Sequence, residues 1–239
     1  MSDASRCFAL VPCAGVGLRA GAEGPKQYAS LAGQAVVAHT LDALALVPAL
    51  AATLVVVAVD DTCFEAHAPR FAGPKAWVAR CGGATRAASV VAGLAVLRDR
   101  GAADQDWVLV HDAARCLIRP AWVMRLIDAC RDDSVGGLLA LPVNDTLKES
   151  QGERVKATLP RAAKWLAQTP QMFRLGLLQV ALQRAMQKAQ QQAADAVTDE
   201  SSAIEAFGLQ PRLVHGELEN FKLTWPADFA LAARLLETR

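Results

Sequence analysis

Short apolar runs alternate with amphipathic segments along the first 143 residues of the chain. The apolar runs predict buried strands at Cys7–Pro12, Thr53–Val59, Ala76–Ala79, Trp107–His111 and Gly137–Val143. Between them, "QAVVAHTLDALALV" and "RAASVVAGLAVLRDR" have the spacing of amphipathic helices. Strands and helices that alternate in this way predict an α/β fold, with a mostly parallel sheet and helices on both of its faces. The helices supply the crossover connections that parallel strands require.

The pattern changes after Val143. The segment "NDTLKESQGERVKATLPR" alternates polar and apolar residues around Gly152, which is typical of a solvent-facing β-hairpin. So polar a hairpin buries little by itself, and it either lies on the sheet or forms an arm that reaches a partner. Beyond it we expect a long helix from about Arg174 to Ala194, a helix in "TDESSAIEAFG", and a final helix that Thr224 caps.

Composition narrows the class of protein. The chain has 239 residues, of which 53% are hydrophobic and 21% charged, so we expect one domain over residues 1–239 with a substantial core. The formal net charge is only +1, which predicts neither a nucleic-acid partner nor a membrane surface. Six scattered cysteines and the lack of a leader-like start predict a soluble cytoplasmic protein.

The segment "VPCAGVGLRAGAEGPKQY" follows the first predicted strand and contains several glycines. Its Gly15-x-Gly17-x-x-Ala20 spacing matches a dinucleotide fingerprint, but glycines and a proline soon interrupt any helix, and no acidic residue stands about 20 positions on. A Walker loop is also excluded, because Gln27 follows Lys26 and the glycine spacing differs. What remains is an irregular loop whose backbone N–H groups form an anion cradle, with Arg19 and Lys26 beside it.

Two further segments carry polar side chains at strand ends. "GGATRAASV" follows a strand and opens a helix, which places Arg86 and Ser89 on one face near the positive end of the helix dipole. These residues suit contacts to a base or a ribose. "HDAAR" ends the strand that begins at Trp107, and ligands of open α/β sheets bind at such carboxyl ends. Asp112 there suits ribose hydroxyls or a magnesium ion, and Arg115 suits a phosphate.

Five stretches occur in the order seen in one family: "CAGVGLRAGAEGPKQY", "GGATRAASV", "VHDAARC", "NDTLK" and "FKLTWP". With "TDESSA" and "LPRAAKWLAQTPQMF", they make the chain resemble the 2-C-methyl-D-erythritol 4-phosphate cytidylyltransferases of the non-mevalonate isoprenoid route. The resemblance runs from about Phe8 to the last helix. It implies a Rossmann-like nucleotidyltransferase domain that transfers a cytidylyl group from CTP to the polyol phosphate and releases pyrophosphate.

The resemblance also implies roles for individual residues. The residues expected to be catalytic are Arg19, Lys26, Arg161 and Lys222. The residues expected to bind the nucleotide are Pro12, Cys13, Ala14, Gly15, Gly17, Gly82, Ala84, Arg86, Ser89, Asp112 and Ala113. Polyol phosphate binding falls on Arg115, Thr146, Thr169 and Thr198.

The same resemblance implies a cofactor and an assembly. Mg²⁺ is expected, held mainly by the triphosphate of CTP and by Asp112. Arg161 is expected to reach the substrate from the neighbouring subunit of a homodimer, which makes the segment from about 144 to 172 a protruding dimerisation arm. Lys222 is expected in a short strand between Asn220 and Thr224.

The chain departs from the family pattern at three positions. Cys13 replaces a usual Ala, Cys116 replaces a common Pro, and Ala88 stands where an acid often precedes the Ser. These departures bear on nucleotide affinity more than on chemistry. The residues are also compatible with two other functions. One is a cytidylyltransferase for another polyol phosphate, such as ribitol 5-phosphate. The other is a non-catalytic nucleotide sensor, although a sensor is expected to lack Arg19 or Lys26.

Overall fold

The structure, a computed structural model, describes residues 5–15, 24–192 and 198–238. The strands are β1 (Cys7–Pro12), β2 (Ser30–Leu31), β3 (Gln34–Ala35), β4 (Leu50–Ala58), β5 (Ala76–Gly82), β6 (Trp107–Val110), β7 (Gly136–Pro142), β8 (Leu147–Gln151), β9 (Arg154–Leu159), β10 (Trp165–Arg174) and β11 (Arg212–His215). The helices are α1 (Val36–Ala45), α2 (Phe64–His67), α3 (Arg86–Asp99), α4 (Pro120–Cys130), α5 (Leu175–Gln192), α6 (Glu200–Ala206) and α7 (Pro226–Glu237).

Seven strands form one sheet in the order β11-β7-β10-β6-β1-β4-β5. All neighbouring pairs are parallel except those of β10, which runs antiparallel to both β6 and β7. The predicted α/β class with a mostly parallel sheet is therefore confirmed. Because β10 inserts antiparallel between β6 and β7, Trp165 pairs with Pro142 at the carboxyl end of β7 and Gln171 pairs with Val110 at the carboxyl end of β6.

Both faces of the sheet are buried, as the apolar runs predict. In β1, Cys7, Ala9 and Val11 pack in one cluster with α1 and α4, whereas Phe8 and Leu10 pack on the other face with α3 and α5. Helix α3 approaches the sheet closely, because a Cβ atom at Gly93 would lie 2.7 Å from Leu10 Cδ1. This close packing fixes the beginning of α3 relative to the carboxyl end of β1.

A third, smaller cluster joins α7 to the loop that follows β6. Leu223 is 1% exposed, packs with Leu117 and Val36, and donates its backbone N–H to the carbonyl oxygen of Ala114 at 2.9 Å. Leu223 therefore anchors the segment that carries its neighbour Lys222. That segment has no regular secondary structure, so the prediction of a strand at Lys222 was wrong.

The last helix also begins differently from the prediction. It starts at Pro226, and the carboxylate of Asp228 accepts the backbone N–H groups of Thr224 and Trp225 at 2.7 Å each. The hydroxyl of Thr224 instead donates to the carbonyl oxygen of Lys222 at 3.1 Å. The predicted cap at Thr224 was therefore wrong: Trp225 occupies the cap position, and Asp228 in the first turn accepts the N–H groups of the two residues that precede the helix.

Strands β8 and β9 pair antiparallel as a separate two-stranded sheet, with Gly152 at the turn in the left-handed region (φ +59°). Nearly all side chains of this hairpin are exposed or half-buried. It is therefore a surface element whose own packing stabilises it little. Every helix in the described part of the chain is too short or too polar to span a lipid bilayer.

Candidate active site

Two adjoining pockets open at the carboxyl ends of the central strands. The larger has a volume of about 460 Å³ and is lined by Pro12, Cys13, Ala14, Gly15, Lys26, Gln27, Gly83, Ala84, Thr85, Arg86, Ser89, Asp112, Ala113, Ala114 and Lys222. The smaller has a volume of about 180 Å³ and is lined by Arg86, Asp112, Arg115, Ala167, Gln168, Thr169, Gln171, Thr198, Asp199 and Lys222. Arg86, Asp112 and Lys222 line both and form their common wall, at the edge where open α/β sheets bind ligands.

The beginning of the glycine-rich loop, Cys13–Gly15, and Lys26 line the larger pocket. The backbone N–H of Cys13 donates to the carbonyl oxygen of Val56 at 2.7 Å, which continues the pairing of β1 and β4 beyond Pro12. Lys26 stands in a single 3₁₀ turn, Lys26–Tyr28, and its Nζ donates to the carbonyl oxygen of Leu223 at 3.1 Å. Gly17 and Arg19 lie outside the described residues.

The turn before α3 forms the opposite side of that pocket. The hydroxyl of Ser89 accepts the backbone N–H of Gly83 at 3.1 Å and donates to the carbonyl oxygen of Thr85 at 3.0 Å. Thr85 caps the helix by accepting the N–H of Ala88 at 3.1 Å. Ser89 is 3% exposed, and its hydroxyl holds in place the Gly83–Thr85 turn, which lines the pocket.

Gly82 lines neither pocket, but its lack of a side chain allows the two sides of the larger pocket to approach each other. A Cβ atom at Gly82 would lie 2.2 Å from the Cβ of Ala14 and 2.7 Å from the carbonyl oxygen of Val57. A side chain there would push the glycine-rich loop away from the end of β5. The predicted nucleotide role of Gly82 thus corresponds, in the structure, to a close approach of two backbones.

Asp112 lies at the centre of the common wall and faces three cations. One carboxylate oxygen accepts from Arg86 Nε at 2.8 Å, and the other lies 2.8 Å from Lys222 Nζ and 3.9 Å from Arg115 Nε. Burial raises the pKa of Asp112, but Arg86, Lys222 and Arg115 outweigh that effect and hold the pKa well below its usual range. Asp112 is therefore ionised near neutral pH.

Arg86 is held from its other side by Glu200. The carboxylate of Glu200 accepts two hydrogen bonds from the guanidinium, at 2.6 and 3.0 Å, and its side chain is fully buried. Burial raises the pKa of Glu200, and the charge of Arg86 opposes that rise. Glu200 carries no distinctive sequence signal: it lies in "TDESSA", directly after the Asp199 that caps α6.

Thr169 and His111 support Asp112 from behind. The Thr169 hydroxyl accepts the backbone N–H of Asp112 at 3.0 Å and lies 3.0 Å from His111 Nδ1, while His111 Nε2 lies 3.2 Å from the carbonyl oxygen of Arg115. Since a carbonyl only accepts, Nε2 carries the proton and Nδ1 accepts from Thr169. Burial lowers the pKa of His111 to about 4, so the ring is neutral near pH 7. His111 is a packed residue, 0% exposed.

Arg115 is held mainly by backbone oxygens. It donates to the carbonyl oxygens of Asn220 at 2.7 Å and Ala167 at 3.3 Å. Asn220, fully buried, donates in turn to the carbonyl oxygen of Thr169 at 2.8 Å. The guanidinium is therefore rigid on the side of the smaller pocket.

Thr146, Arg161 and Thr198 are three further predicted residues that do not line the larger pocket. Thr198 is exposed at the rim of the smaller pocket, where its hydroxyl lies 3.4 Å from that of Ser202. Thr146 and Arg161 are exposed, line neither pocket, and lie at the base of the β8–β9 hairpin, where Arg161 donates to the carbonyl oxygen of Asn144.

The three residues that depart from the family pattern, Cys13, Cys116 and Ala88, have different surroundings in the structure. Cys13 is buried, and burial together with Asp61 raises the pKa of its thiol to about 12, so it behaves as a small apolar side chain. Cys116 is buried in the cluster that contains Leu223. Ala88, in the first turn of α3, leaves that turn without an acidic side chain.

The chain matches known proteins over nearly its whole length. The family "IspD: 2-C-methyl-D-erythritol 4-phosphate cytidylyltransferase" matches residues 7–238. The "Bifunctional enzyme IspD/IspF" of Albidiferax ferrireducens is 60% identical over 234 residues, which are 98% of this chain and 54% of that protein. The chain thus spans about half the length of that relative.

A second relative and a solved structure are matched almost end to end. The 2-C-methyl-D-erythritol 4-phosphate cytidylyltransferase of Burkholderia multivorans is 53% identical over 233 residues, covering 97% of this chain and 96% of that protein. A crystal structure of 4-diphosphocytidyl-2C-methyl-D-erythritol synthase superposes with a TM-score of 0.84 at 38% identity, covering 98% of this chain and 100% of that one.

Proposed function

The chain belongs to the 2-C-methyl-D-erythritol 4-phosphate cytidylyltransferase family, and we propose that it performs the reaction of that family with Mg²⁺ and with active sites shared between two subunits. CTP and 2-C-methyl-D-erythritol 4-phosphate give 4-diphosphocytidyl-2-C-methyl-D-erythritol and pyrophosphate, a step of isoprenoid precursor synthesis. The observation that carries the proposal is the common wall of the two pockets. There Asp112 and Lys222 face a nucleotide-sized pocket on one side and a smaller polar pocket on the other.

The reaction needs charge stabilisation more than proton transfer. A phosphate oxygen of the polyol phosphate attacks the α-phosphorus in line, and this oxygen is already anionic near neutral pH. No general base is required, which agrees with a His111 that is buried and hydrogen-bonded on both ring nitrogens. Two anions must nevertheless approach while charge develops on the α-phosphate and on the leaving pyrophosphate, so catalysis consists mainly of positioning and electrostatics.

Four basic residues divide this work. Lys26, beside the glycine-rich loop, stabilises the α-phosphate and the leaving group, and Arg19 of that loop joins it. Lys222, on the common wall, aims the attacking phosphate together with Arg161. Arg86 and Arg115 are held by Glu200, Asp112 and backbone carbonyls, and they keep the carboxylate of Asp112 in place.

The donor set fits a magnesium ion that arrives with the nucleotide. Among the described residues, Asp112 is the one acidic side chain that lines the larger pocket, and no group of three metal-ligating side chains occurs. Mg²⁺ is usually held by one or two carboxylates together with phosphate oxygens and water. Asp112 would hold the ion with the triphosphate, and the ion would supply positive charge beside the reacting phosphates.

The placement of Thr146 and Arg161 supports a homodimer. Both were expected at the polyol phosphate, yet both lie outside the pockets of their own chain. The hairpin beside them exposes Val155 and Leu159, and the adjacent start of β10 exposes Leu166. A second subunit that packs on these apolar side chains would bury them and bring Arg161 of one chain to the smaller pocket of the other.

The cytoplasm is where we place this reaction. No disulfide joins the six cysteines, all of which lie in the described residues. Six thiols in one chain are typical of a reducing compartment. A different polyol phosphate substrate, such as ribitol 5-phosphate, is not favoured by the family match.

Pyrophosphate release tests the proposal directly. Each of the four nucleoside triphosphates is incubated with the purified protein, a divalent cation and a panel of polyol phosphates. We expect turnover with CTP and 2-C-methyl-D-erythritol 4-phosphate, and its loss on chelation of the cation. Equal turnover of UTP and CTP would contradict the assignment of the base, and preference for ribitol 5-phosphate would contradict that of the polyol.

A further inference from the structure

The side chain of Gln27 links the two parts of the larger pocket that bear on phosphate. It is 7% exposed, and its Nε2 donates to the carbonyl oxygen of Cys13 at 3.0 Å and to that of Gly15 at 2.9 Å. A primary amide has two N–H groups on this atom, and both are used. One side chain therefore holds two carbonyls at the beginning of the glycine-rich loop.

These bonds determine which way the loop backbone faces. The C=O and the following N–H of a trans peptide unit point in opposite directions. Because the carbonyl oxygen of Cys13 points towards Gln27, the N–H of Ala14 points away from it. The amide of Gln27 thus orients a backbone donor of the kind that makes an anion cradle.

Gln27 is also fixed to Lys26. The two residues share the Lys26–Tyr28 turn, in which Tyr28 N–H donates to the carbonyl oxygen of Pro25 at 2.9 Å. The hydroxyl of Tyr28 donates to Asp61 at 2.5 Å, which ties the turn to the loop after β4. A displacement of the glycine-rich loop relative to this turn would change the distance from its backbone donors to the ammonium of Lys26.

We propose that Gln27 is a positioning residue for cytidylyl transfer, which sets the spacing between Lys26 and the backbone groups that receive the triphosphate. The inference rests on the proposed function. Glutamine is specifically required, because it presents two donors to two carbonyls. A glutamate of the same shape presents oxygen to oxygen and drives the loop away.

Two variants and one control test this inference. Gln27→Glu introduces the repulsion, and Gln27→Met keeps the approximate length without a donor or a charge. Gln105→Glu is the control, since Gln105 is exposed and lies outside both pockets. Folding is checked by the melting temperature, and kcat and both KM values are measured from about pH 6 to pH 9.

We expect Gln27→Glu to lower kcat roughly 100-fold at pH 8, a loss that a displacement of about 1 Å in a positioned site can cause. The KM for the polyol phosphate should stay within about twofold, since the smaller pocket is untouched. As the pH falls, the ratio of variant to wild-type kcat should rise, because a protonated carboxyl regains one donor. Gln27→Met should show a reduced kcat whose ratio to wild type does not change with pH, and Gln105→Glu should equal wild type.

The ratio of variant to wild-type kcat reports the titration of the carboxyl group that Gln27→Glu introduces. The other titratable or charged groups of the same pocket are Lys26, Arg86, Asp112, Lys222 and the thiol of Cys13, and all of them are common to both proteins. Wild-type kcat in folded Gln27→Glu and Gln27→Met would overturn the inference. So would activity losses that only follow the folded fraction. If Gln27→Glu does not fold, the kcat of Gln27→Met decides.

Calorimetry with inorganic pyrophosphate and magnesium separates this inference from the proposed function. If the wild-type protein showed no turnover, only the proposed function would be contradicted. The positioning role would then be judged on pyrophosphate affinity, which both Gln27 variants should lower at least tenfold. The positioning role would be overturned if both Gln27 variants bound pyrophosphate as tightly as wild type and their kcat either equalled that of wild type or was undetectable in all three proteins.

Discussion

The ammonium of Lys222 lies 2.8 Å from a carboxylate oxygen of Asp112, at the boundary between the two pockets. The side chain of Lys222 is 40% exposed, whereas that of Asp112 is 10% exposed. The lysine therefore reaches into solvent while its counter-ion is held by the interior of the protein. A phosphate that enters the smaller pocket meets a cation whose position Asp112 has already fixed.

This asymmetry predicts opposite phenotypes for the two partners. Lys222→Ala should change the free energy of unfolding by less than about 1 kcal/mol, because half-exposed ion pairs contribute little. It should raise the KM for the polyol phosphate at least tenfold and leave the KM for CTP nearly unchanged. Steady-state kinetics and urea unfolding measure both. An equal rise of the two KM values would contradict the assignment of Lys222 to the polyol phosphate.

Asp112→Asn should instead destabilise the fold. Removal of one partner from a buried ion-pair network typically costs about 3–5 kcal/mol, because it leaves uncompensated charge inside the protein. In this chain Arg86 and Arg115 would lose that partner, and only Glu200 would remain to oppose them. Urea unfolding should show a loss of that size. A loss below about 1 kcal/mol would mean that water already screens this network.

Lys26→Ala should affect catalysis rather than folding. Loss of one preorganised transition-state donor typically costs about 2.7–4 kcal/mol, or roughly 10²–10³ in kcat. The melting temperature should change little, since Lys26 lies at the pocket surface. Arg19→Ala should act in the same direction. Near-wild-type kcat in Lys26→Ala would reduce the glycine-rich loop to a solvated surface segment.

His111 predicts a pH dependence of stability. Its pKa is lowered to about 4 in the folded protein, against about 6.5 in an unfolded chain. Between these two pH values His111 is protonated in the unfolded chain but not in the folded protein. The free energy of unfolding therefore decreases as the pH falls from 6.5 to 4. The loss amounts to roughly 3 kcal/mol between pH 6.5 and pH 4.

The variant His111→Gln isolates this contribution. It lacks the titrating ring, so its free energy of unfolding should decline less than that of wild type over the same pH range. Above pH 7 the two pH profiles should run parallel. Equal slopes from pH 6.5 to pH 4 would show that the buried ring is not the group that titrates.

Hydrophobic patterns predicted β1, β4, β6 and β7 because these strands are buried on both faces. They missed β10 for a physical reason. Its buried Gln168 and Gln171 interrupt the apolar pattern and are satisfied by distant groups, as in the 2.8 Å bond from Gln171 Nε2 to Asp199. The short β11 is largely exposed at the sheet edge and carries little apolar signal.

The site was predictable where a strand end or a loop motif marks it. Lys26, Asp112 and the Cys13–Gly15 segment of the glycine-rich loop were singled out in this way, and they line one pocket. Glu200 was not, because in sequence it belongs to an ordinary helix start, and only the fold brings it to Arg86, 114 positions away. Gln27 was noticed only as the residue that excludes a Walker loop, since its two carbonyl partners depend on the folded loop.

The shared active site can be tested by mixing inactive subunits. If Arg161 crosses to the neighbouring subunit, each site takes Lys26 from one chain and Arg161 from the other. Homodimers of Lys26→Ala and of Arg161→Ala should both be nearly inactive. In a mixed dimer, one site collects both defects and the other contains neither. Equal mixing gives about half mixed dimers under two-fold symmetry, so activity should rise to roughly a quarter of wild type.

Lys26→Ala mixed with Lys222→Ala is the matched control. Lys26 Nζ donates to the carbonyl oxygen of Leu223 within one chain, which places Lys26 and Lys222 in the same pocket. Each site of that mixed dimer keeps one defect, and mixing should restore nothing. Native mass spectrometry confirms subunit exchange in both mixtures. A mixture with Arg161→Ala that stays as inactive as its parents, with exchange complete, would assign Arg161 to its own chain and refute the shared site.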